Sequence, residues 1–297
     1  MSGEVKEAGN RKPGTGERSP ATGYRLPANS ARIESRFAEL RAANRTALIP
    51  FITAGDPLPD ATVEVMHALV GAGADLIELG VPFSDPMADG PVIQHASERA
   101  LSRHVGIAQV LQWVRAFRER DADTPIVLMG YLNPVEIHGI ERFGREAAEA
   151  GVDGVLVVDC PIEEDATLRP LRDAGLQRIL LAAPTTSEAR LRQIAAEAEG
   201  YLYYVSFAGI TGAARLRVGE VETRVHAMKE NCGVPVAVGF GIKDAEGAAR
   251  IGAFADAVVI GSALVDCMAG SADAGQACNR AREFLSPIRT ALDARRD

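Results

Sequence analysis

The sequence predicts an α/β fold, a closed (β/α)8 barrel that forms one domain, and three observations point to it. First, eight short apolar runs rich in β-branched residues recur along the chain. Second, amphipathic helical segments lie between most of them, and strands that are apolar throughout and alternate with helices are typical of a parallel sheet covered by helices. Third, eight such units within about 260 residues match the usual size of a (β/α)8 barrel.

The predicted strands and helices alternate from the start of the barrel to its end. The predicted strands are residues 47–53, 75–79, 125–129, 154–158, 178–182, 201–205, 234–238 and 257–261. The clearest predicted helices are residues 61–72, 107–120, 142–150, 164–174 and 188–198. A Rossmann-like domain with a second lobe is the main alternative, but no GxGxxG motif follows the first strand.

The chain begins with a segment that has little to bury. Residues 1–29 are rich in Gly, Pro, Ser, Thr and charged residues, so we expect a disordered N-terminal tail. We expect the barrel to occupy residues 30–297, with Ser30 as the N-cap of a first helix. Ile33, Phe37 and Leu40 would form the apolar face of that helix.

The overall charge and the cysteine pattern limit the partners and the compartment. A formal net charge of −8 argues against a nucleic-acid partner, because such proteins usually carry a basic surface. No apolar run approaches the roughly 20 residues that span a bilayer, so we expect no membrane insertion. The four cysteines form no CxxC pair and the first residues do not resemble a secretory signal, which favours a reduced cytoplasmic protein.

Glycine or serine follows each of the last three predicted strands, at the barrel end where this fold builds its active sites. A single glycine is most often explained by a tight turn. Three neighbouring strand ends with this pattern favour a phosphate site, held by backbone N–H groups. The predicted contacts are Gly212, Gly241, Gly261 and Ser262.

Two carboxylates near the end of the second strand are candidates for catalysis. Alternation along the strand points Leu76 and Glu78 inward, and burial would raise the pKa of Glu78 toward the range useful for proton transfer. A structural ion pair with a neighbouring strand is an equally good explanation. Asp89 follows 11 residues later, and it is either a helix-start residue or a second carboxylate folded back over the barrel mouth.

The remaining residue types favour acid–base chemistry without a metal. Lys229 and Lys243 are the only lysines of the predicted barrel, and neither lies where a desolvated Schiff-base lysine is expected. The five histidines lie in helical or loop segments and form no convincing set of metal ligands. Four aromatic residues in or after strands would line an apolar pocket beside the phosphate, and they are Phe51, Tyr131, Tyr203 and Phe240.

Several segments together resemble the tryptophan synthase alpha subunits. They are PFITAGDP (50–57), LIELGVPFSDPMADGPVIQ (76–94), MGYLNPV (129–135), APTTS (183–187), AGITGA (208–213), GFGI (239–242) and GSALV (261–265). The likeness covers the barrel from about residue 33 to 290. It implies a metal-free retro-aldol cleavage of indole-3-glycerol phosphate to indole and glyceraldehyde 3-phosphate.

The resemblance also implies roles for individual residues. Glu78 matches the family's general acid and base, which protonates C3 of the indole ring, and Asp89 matches the carboxylate that binds the indole N–H. Tyr203 matches a tyrosine near that glutamate, Phe51 a residue against the indole, and Thr211 a threonine of a mobile loop. The glycines and the serine named above match the family's phosphate cradle.

The family resemblance implies a partner as well. The loops around Pro82, Asp85 and Asn133 match the face toward a beta subunit, which holds pyridoxal phosphate, and the expected assembly is an alpha2-beta2 tetramer. No cofactor and no metal are expected on this chain itself.

Leu132 and Phe207 differ from the residues that we expect at these positions. Two alternatives stay open: a free-standing indole-releasing lyase, and a silent barrel that only activates a beta subunit, which two costly buried carboxylates disfavour.

Overall fold

The structure is a computed structural model, and it describes residues 31–205, 218–239 and 241–294. The predicted tail, residues 1–29, and the predicted N-cap Ser30 lie outside the described residues.

Nine parallel strand segments form one sheet that curves into a barrel. They are β1 (Ala47–Thr53), β2 (Ile77–Gly80), β3 (Ile126–Gly130), β4 (Gly154–Val157), β5 (Gln177–Arg178), β6 (Leu180–Ala182), β7 (Leu202–Val205), β8 (Val236–Gly239) and β9 (Ala257–Ile260). Their spatial order is β5-β4-β3-β2-β1-β9-β8-β7-β6. The first and last members of this order, β5 and β6, are two pieces of the predicted fifth strand.

The break in the fifth strand is a single residue, Ile179. Its N–H still donates to the carbonyl of Val155 at 2.9 Å, so the neighbouring β4 continues to hold the interrupted segment. Eight strand positions therefore circle the barrel, and the predicted (β/α)8 fold is confirmed.

Helices cover the outside of the sheet, as predicted. The described helices are α1 (Ala31–Ala42), α2 (Thr62–Gly71), α3 (Pro91–Leu101), α4 (Ile107–Arg118), α5 (Leu132–His138), α6 (Ile140–Ala150), α7 (Asp165–Asp173), α8 (Glu188–Glu197), α9 (Val218–Asn231), α10 (Ala245–Gly252), α11 (Ser262–Met268) and α12 (Ala274–Asp293). None of these described helices is long and apolar enough to cross a membrane.

The interior of the barrel is a packed core and not an open channel. Inward-facing residues of several strands, such as Ile49 and Val127, form one apolar cluster with Ile33, Phe37 and Leu40 of α1. The predicted apolar face of α1 thus packs against the barrel interior. Burial of these side chains removes apolar surface from water and fixes the strands around one centre.

Four carboxylates occupy equivalent positions at the amino end of the barrel. They precede β2, β4, β7 and β9, and we call Asp75, Asp153, Glu199 and Asp256 the amino-end carboxylates. Each accepts a backbone N–H from the preceding strand, with β5 and β6 counted as one strand, and the donors are Leu48 (2.9 Å), Ile126 (2.8 Å), Arg178 (2.9 Å) and Val236 (2.9 Å).

Each amino-end carboxylate also meets a basic side chain. The cations are Arg289 for Asp75 (3.0 Å), Arg118 for Asp153 (2.8 Å), Arg172 for Glu199 (2.7 Å) and Lys229 for Asp256 (2.8 Å). Asp75 and Asp153 are buried, whereas Glu199 and Asp256 are partly exposed. A buried charge is tolerated when it is paired and hydrogen-bonded, and both buried carboxylates meet these conditions. The four carboxylates join neighbouring strands at the amino end of the barrel. The carboxyl end is left free for a functional site.

Candidate active site

A cavity of about 430 Å³ opens at the carboxyl end of the strands. Its wall contains many of the residues predicted for the substrate site, namely Phe51, Asp89, Tyr203, Gly241, Gly261 and Ser262. Apolar side chains such as Ile93 and Met129 complete it. Thr211, Gly212 and Phe240 lie outside the described residues. The described strand ends therefore build one mostly apolar pocket with a few polar groups, the usual composition of a small-molecule site.

Glu78 lies on β2 and points into the barrel, as predicted from the alternation of the strand. Ile77 and Leu79, on either side, pack in the outer apolar core under the helices. The Glu78 side chain is fully buried, and its Oε1 accepts a hydrogen bond of 2.6 Å from the hydroxyl of Tyr201. No described group bonds to its Oε2.

The surroundings of Glu78 determine its protonation. Burial raises the pKa of Glu78 to about 7, and the hydrogen bond from Tyr201 opposes that rise by stabilising the charged form. No arginine or lysine among the described residues forms an ion pair with it. The predicted alternative, a structural ion pair, is therefore not found, and the carboxyl group exchanges a proton easily near neutral pH.

Asp89 lies in the loop between β2 and α3, where its carboxylate meets the hydroxyl of Tyr131. Tyr131 donates to Asp89 Oδ2 at 3.1 Å and accepts the N–H of Ala88 at 3.0 Å. Gln94 donates to the Asp89 carbonyl at 2.8 Å and fixes the start of α3. Burial raises the pKa of Asp89 to about 6, so the group is mostly ionised at neutral pH.

The far end of the cavity carries the predicted phosphate contacts. Gly241 has a positive φ of 58°, which favours glycine, and no atom lies within 4 Å of the position of a Cβ. Gly261 precedes α11, whose first residue is Ser262, so free backbone N–H groups of the first turn face this end. Lys243 lines the same cavity and adds a cation there.

Comparisons with known proteins agree with this geometry. The family model described as tryptophan synthase alpha chain matches residues 37–292. The chain belongs to this family. It is 60% identical over 262 residues to the tryptophan synthase alpha chain of Xylella fastidiosa (strain 9a5c), covering 88% of this chain and 98% of that one. It is 60% identical to the alpha chain of Xanthomonas oryzae over 87% of this chain and 97% of that relative.

Solved structures give the same result. The alpha subunit of tryptophan synthase from Legionella pneumophila str. Paris superposes with a TM-score of 0.83 at 44% identity, covering 89% of this chain and 98% of the other. A tryptophan synthase structure from M. tuberculosis reaches a TM-score of 0.78 at 33% identity, covering 88% and 98%. As an alpha chain, the protein cleaves indole-3-glycerol phosphate to indole and glyceraldehyde 3-phosphate, and the family pairs with a beta subunit that receives the indole.

Two residues at the site of this tryptophan synthase alpha chain, Tyr201 and Lys243, were not predicted as site residues from the sequence. Tyr201, not Tyr203, bonds to Glu78, although both tyrosines point to the same side of a strand because they are two residues apart. The alternation made Tyr201 a second candidate but could not decide between the two tyrosines. Lys243 does not fit a Schiff-base lysine, but its position after β8, close to Gly241, is a signal for an anion contact.

The residues that resemble the family's partner face differ in exposure. Asp85 and Asn133 are exposed, whereas Pro82 is buried within this chain. Two large apolar side chains nearby in the sequence, Met87 and Ile137, are 79% and 80% exposed. Isolated apolar residues on a surface are common, but these two flank segments already matched to an interface in tryptophan synthases.

Potential metal ligands do not gather at this site. Across the described ranges, no three His, Cys, Asp or Glu side chains are placed to hold a metal ion. The four cysteines are free thiols. The groups able to act on a substrate are therefore Asp89, hydroxyls, backbone N–H groups and Lys243 of the described cavity wall, and Glu78 of the adjoining barrel interior.

Proposed function

We propose that Glu78 and Asp89 perform the acid–base chemistry of the alpha reaction. A single observation carries this proposal: the buried Glu78 and the half-buried Asp89 lie at the cavity end of the barrel with only tyrosine hydroxyls as described side-chain partners. A buried carboxylate without a cation costs folding free energy. Catalysis explains why that cost is kept.

We place the substrate with its phosphate between Gly241, Gly261 and Ser262 and its indole ring near Phe51 and Asp89. Backbone N–H groups at these glycines would bind the phosphate oxygens, and Lys243 would balance part of the charge. The apolar wall accommodates the flat ring, because Phe51 lines the cavity close to Asp89. Gly212 and Thr211, outside the described residues, are proposed to complete this binding site.

The proposed reaction begins with a proton transfer from Glu78 to C3 of the indole ring. The resulting positive charge is spread over the ring nitrogen, where the ionised Asp89 accepts the N–H and stabilises it. The carboxylate of Glu78 then takes the proton of the glycerol hydroxyl next to the ring. The C–C bond breaks, its electrons restore the aromatic ring, and the new C=O belongs to glyceraldehyde 3-phosphate. Glu78 ends protonated, ready for another cycle.

The side chain of Glu78 has to turn for this reaction. It is fully buried and does not line the cavity, whereas Phe51, its register partner on β1, does. We propose that substrate binding brings Oε2, which has no described partner, toward C3 while the bond from Tyr201 is released or rearranged.

We further propose that the chain works in the cytoplasm within an alpha2-beta2 tetramer. Asp85 and Asn133 are exposed on neighbouring segments and would face the beta subunit, which would carry the pyridoxal phosphate; the alpha site needs no cofactor for the steps above. Pro82 would support that face from inside, because it is buried. The tunnel that passes indole would begin at the cavity.

The test measures indole release from indole-3-glycerol phosphate by the purified chain, with and without a beta subunit. Strong activation by the partner supports the tetramer, and a high rate from the chain alone favours a free-standing lyase. Asp89→Asn is expected to lose most activity under both conditions. Asp60→Asn is the matched control, since Asp60 is an exposed aspartate of the β1–α2 loop. Equal rates for Asp89→Asn and wild type would contradict the proposed role of Asp89.

A further inference from the structure

A second, much smaller cavity lies behind Asp89. Its volume is about 10 Å³, and the polar residues that line it are Thr53, Asp89, Ser97 and Tyr131. Asp89 lines this space and the substrate cavity as well, so it forms part of the wall between them. The remaining lining is apolar or backbone, from residues such as Ile93 and Val158. The small cavity is therefore a polar compartment beside one carboxylate of the active site.

Two hydroxyl groups in this compartment have no hydrogen-bond partner among the described residues. Thr53, at the end of β1, is 2% exposed, and its Oγ1 is buried and unpaired. Ser97, on the buried face of α3, is 4% exposed, and no described atom bonds to its hydroxyl. An unpaired buried hydroxyl costs on the order of 1–3 kcal/mol, so the one at Thr53, in the same compartment as Ser97, calls for an explanation.

The size and polarity of the compartment fit one water molecule. A cavity needs roughly 10–15 Å³ of accessible space to hold a water, together with two to four polar partners. Thr53 and Ser97 each offer a donor and an acceptor, and Asp89 offers acceptor lone pairs. Apolar voids stay dry, but this one has polar groups on several sides.

We infer that Thr53 and Ser97 hold one ordered water that donates a hydrogen bond to the Asp89 carboxylate. They would thus be positioning residues, which act on the substrate only through Asp89. Tyr131 already donates to Oδ2, and Oδ1 accepts no bond from the described residues. The water would supply a second donor from behind, hold the carboxylate against rotation and leave its other lone pairs free for the indole N–H. The inference rests on the proposed role of Asp89.

The test compares Thr53→Val with Thr53→Ser in the chain with its beta subunit. Valine keeps the shape of threonine and removes the hydroxyl, so we expect kcat/KM to fall about three- to tenfold, the value of one hydrogen bond. Serine keeps the hydroxyl and should restore most of that loss. Ser97→Ala should reduce kcat/KM in the same direction, and combining it with Thr53→Val should cost less than the product of the two effects.

The pH profile separates positioning from a merely structural effect. Loss of a donor to Asp89 raises its pKa, so the acid limb of kcat/KM should move to higher pH in Thr53→Val and return in Thr53→Ser. Tyr131 and Tyr203, the neighbouring tyrosines, have pKa values raised above the usual tyrosine value and do not titrate in this range. Glu78 titrates on the opposite, alkaline limb.

A different set of results is expected if no water joins Thr53 to Asp89. If the hydroxyl of Thr53 is merely unpaired, Thr53→Val removes a burial cost, raises Tm and leaves kcat/KM and the acid limb unchanged. That result would overturn the inference, and so would a high-resolution crystal structure with no water between Thr53 and Asp89. Asp89→Asn, assayed in parallel, separates the two levels. If Asp89→Asn is inactive and Thr53→Val is normal, only the water site is wrong, whereas an active Asp89→Asn rejects the proposed function itself.

Discussion

The two ends of the barrel both contain carboxyl groups that are largely removed from water, but the partners of these groups differ. At the amino end, Asp153 meets Arg32 and Arg118, each at 2.8 Å, and accepts the N–H of Ile126. At the carboxyl end, Glu78 accepts one bond from a tyrosine hydroxyl and meets no described cation. Both side chains are completely buried. The difference lies in what surrounds them, not in how deep they lie.

This difference separates carboxylates that stabilise from carboxylates that react. Burial raises the pKa of Asp153 too, but Arg118, the N–H of Ile126 and Arg32 oppose that rise by stabilising the charged form, which joins two strands. Burial without a cation raises the pKa of Glu78 to about 7, so the group gains and loses a proton near neutral pH. The same functional group is structural at one end and suited to proton transfer at the other.

The largest effect is expected from Glu78→Gln. Removing a general acid and base should lower kcat about 10²- to 10⁴-fold, measured as indole release. The Glu78→Gln substitution should not destabilise the folded protein. Because the folded pKa of Glu78 lies above its ordinary value of 4.5, wild type loses stability as pH rises from there through 7, by up to about 3 kcal/mol. The variant avoids this loss. A Tm for Glu78→Gln clearly below that of wild type at pH 8 would mean that Glu78 stabilises the fold, as the carboxylates of the amino end do.

The same change at the other end, Asp153→Asn, should affect stability instead. Two arginines would lose their charged partner, and we expect the free energy of unfolding to fall by about 3 kcal/mol, measured by urea denaturation. Asparagine can still accept the N–H of Ile126, so the barrel should form. The folded fraction should keep kcat close to that of wild type. A large loss of kcat without loss of stability would show that the two ends are not distinct.

The pH dependence sharpens the account of the reactive end. Asp89, with a pKa of about 6, has to be ionised, and Glu78, with a pKa of about 7, has to be protonated. kcat/KM should therefore fall below pH 6 and above pH 7. Tyr201→Phe removes a bond to the charged form of Glu78, raises its pKa and should move the alkaline limb to higher pH. An alkaline limb that does not move would mean that another group titrates there.

The smallest effect is expected at the rim of the pocket. Lys243 is exposed and lines the cavity beside the proposed phosphate site. Lys243→Met should raise KM for indole-3-glycerol phosphate about two- to fivefold and leave kcat nearly unchanged, because exposed charge pairs are weak. Added salt should reduce the difference between wild type and variant. Lys229→Met, which removes a cation at the amino end, is the control and should leave KM unchanged.

Much of the fold was predictable because its signals are local. The apolar runs and the helical spacing gave eight strands in the right order, and the fifth strand differed only by a break at Ile179. Positions at strand ends also placed Phe51, Asp89 and Gly261 in the cavity. The partners of these residues were harder to predict, since Tyr201 reaches Glu78 across 123 positions of sequence. Nothing in a local pattern specifies which tyrosine of YLYYV makes that bond.

By itself, the sequence determined the barrel, the inward direction of Glu78 and, through its resemblance to tryptophan synthase alpha subunits, the reaction. Periodicity is enough for the barrel and for the inward direction of Glu78, because both depend on residues close together in the chain, whereas the reaction followed from the resemblance. Only the tertiary structure decided which carboxylates meet cations and which do not. Asp153 and Glu78 look alike in sequence, each in or beside an apolar strand. Their pairing depends on arginines from distant helices, and Arg32 and Arg118 lie beside Asp153 and not beside Glu78.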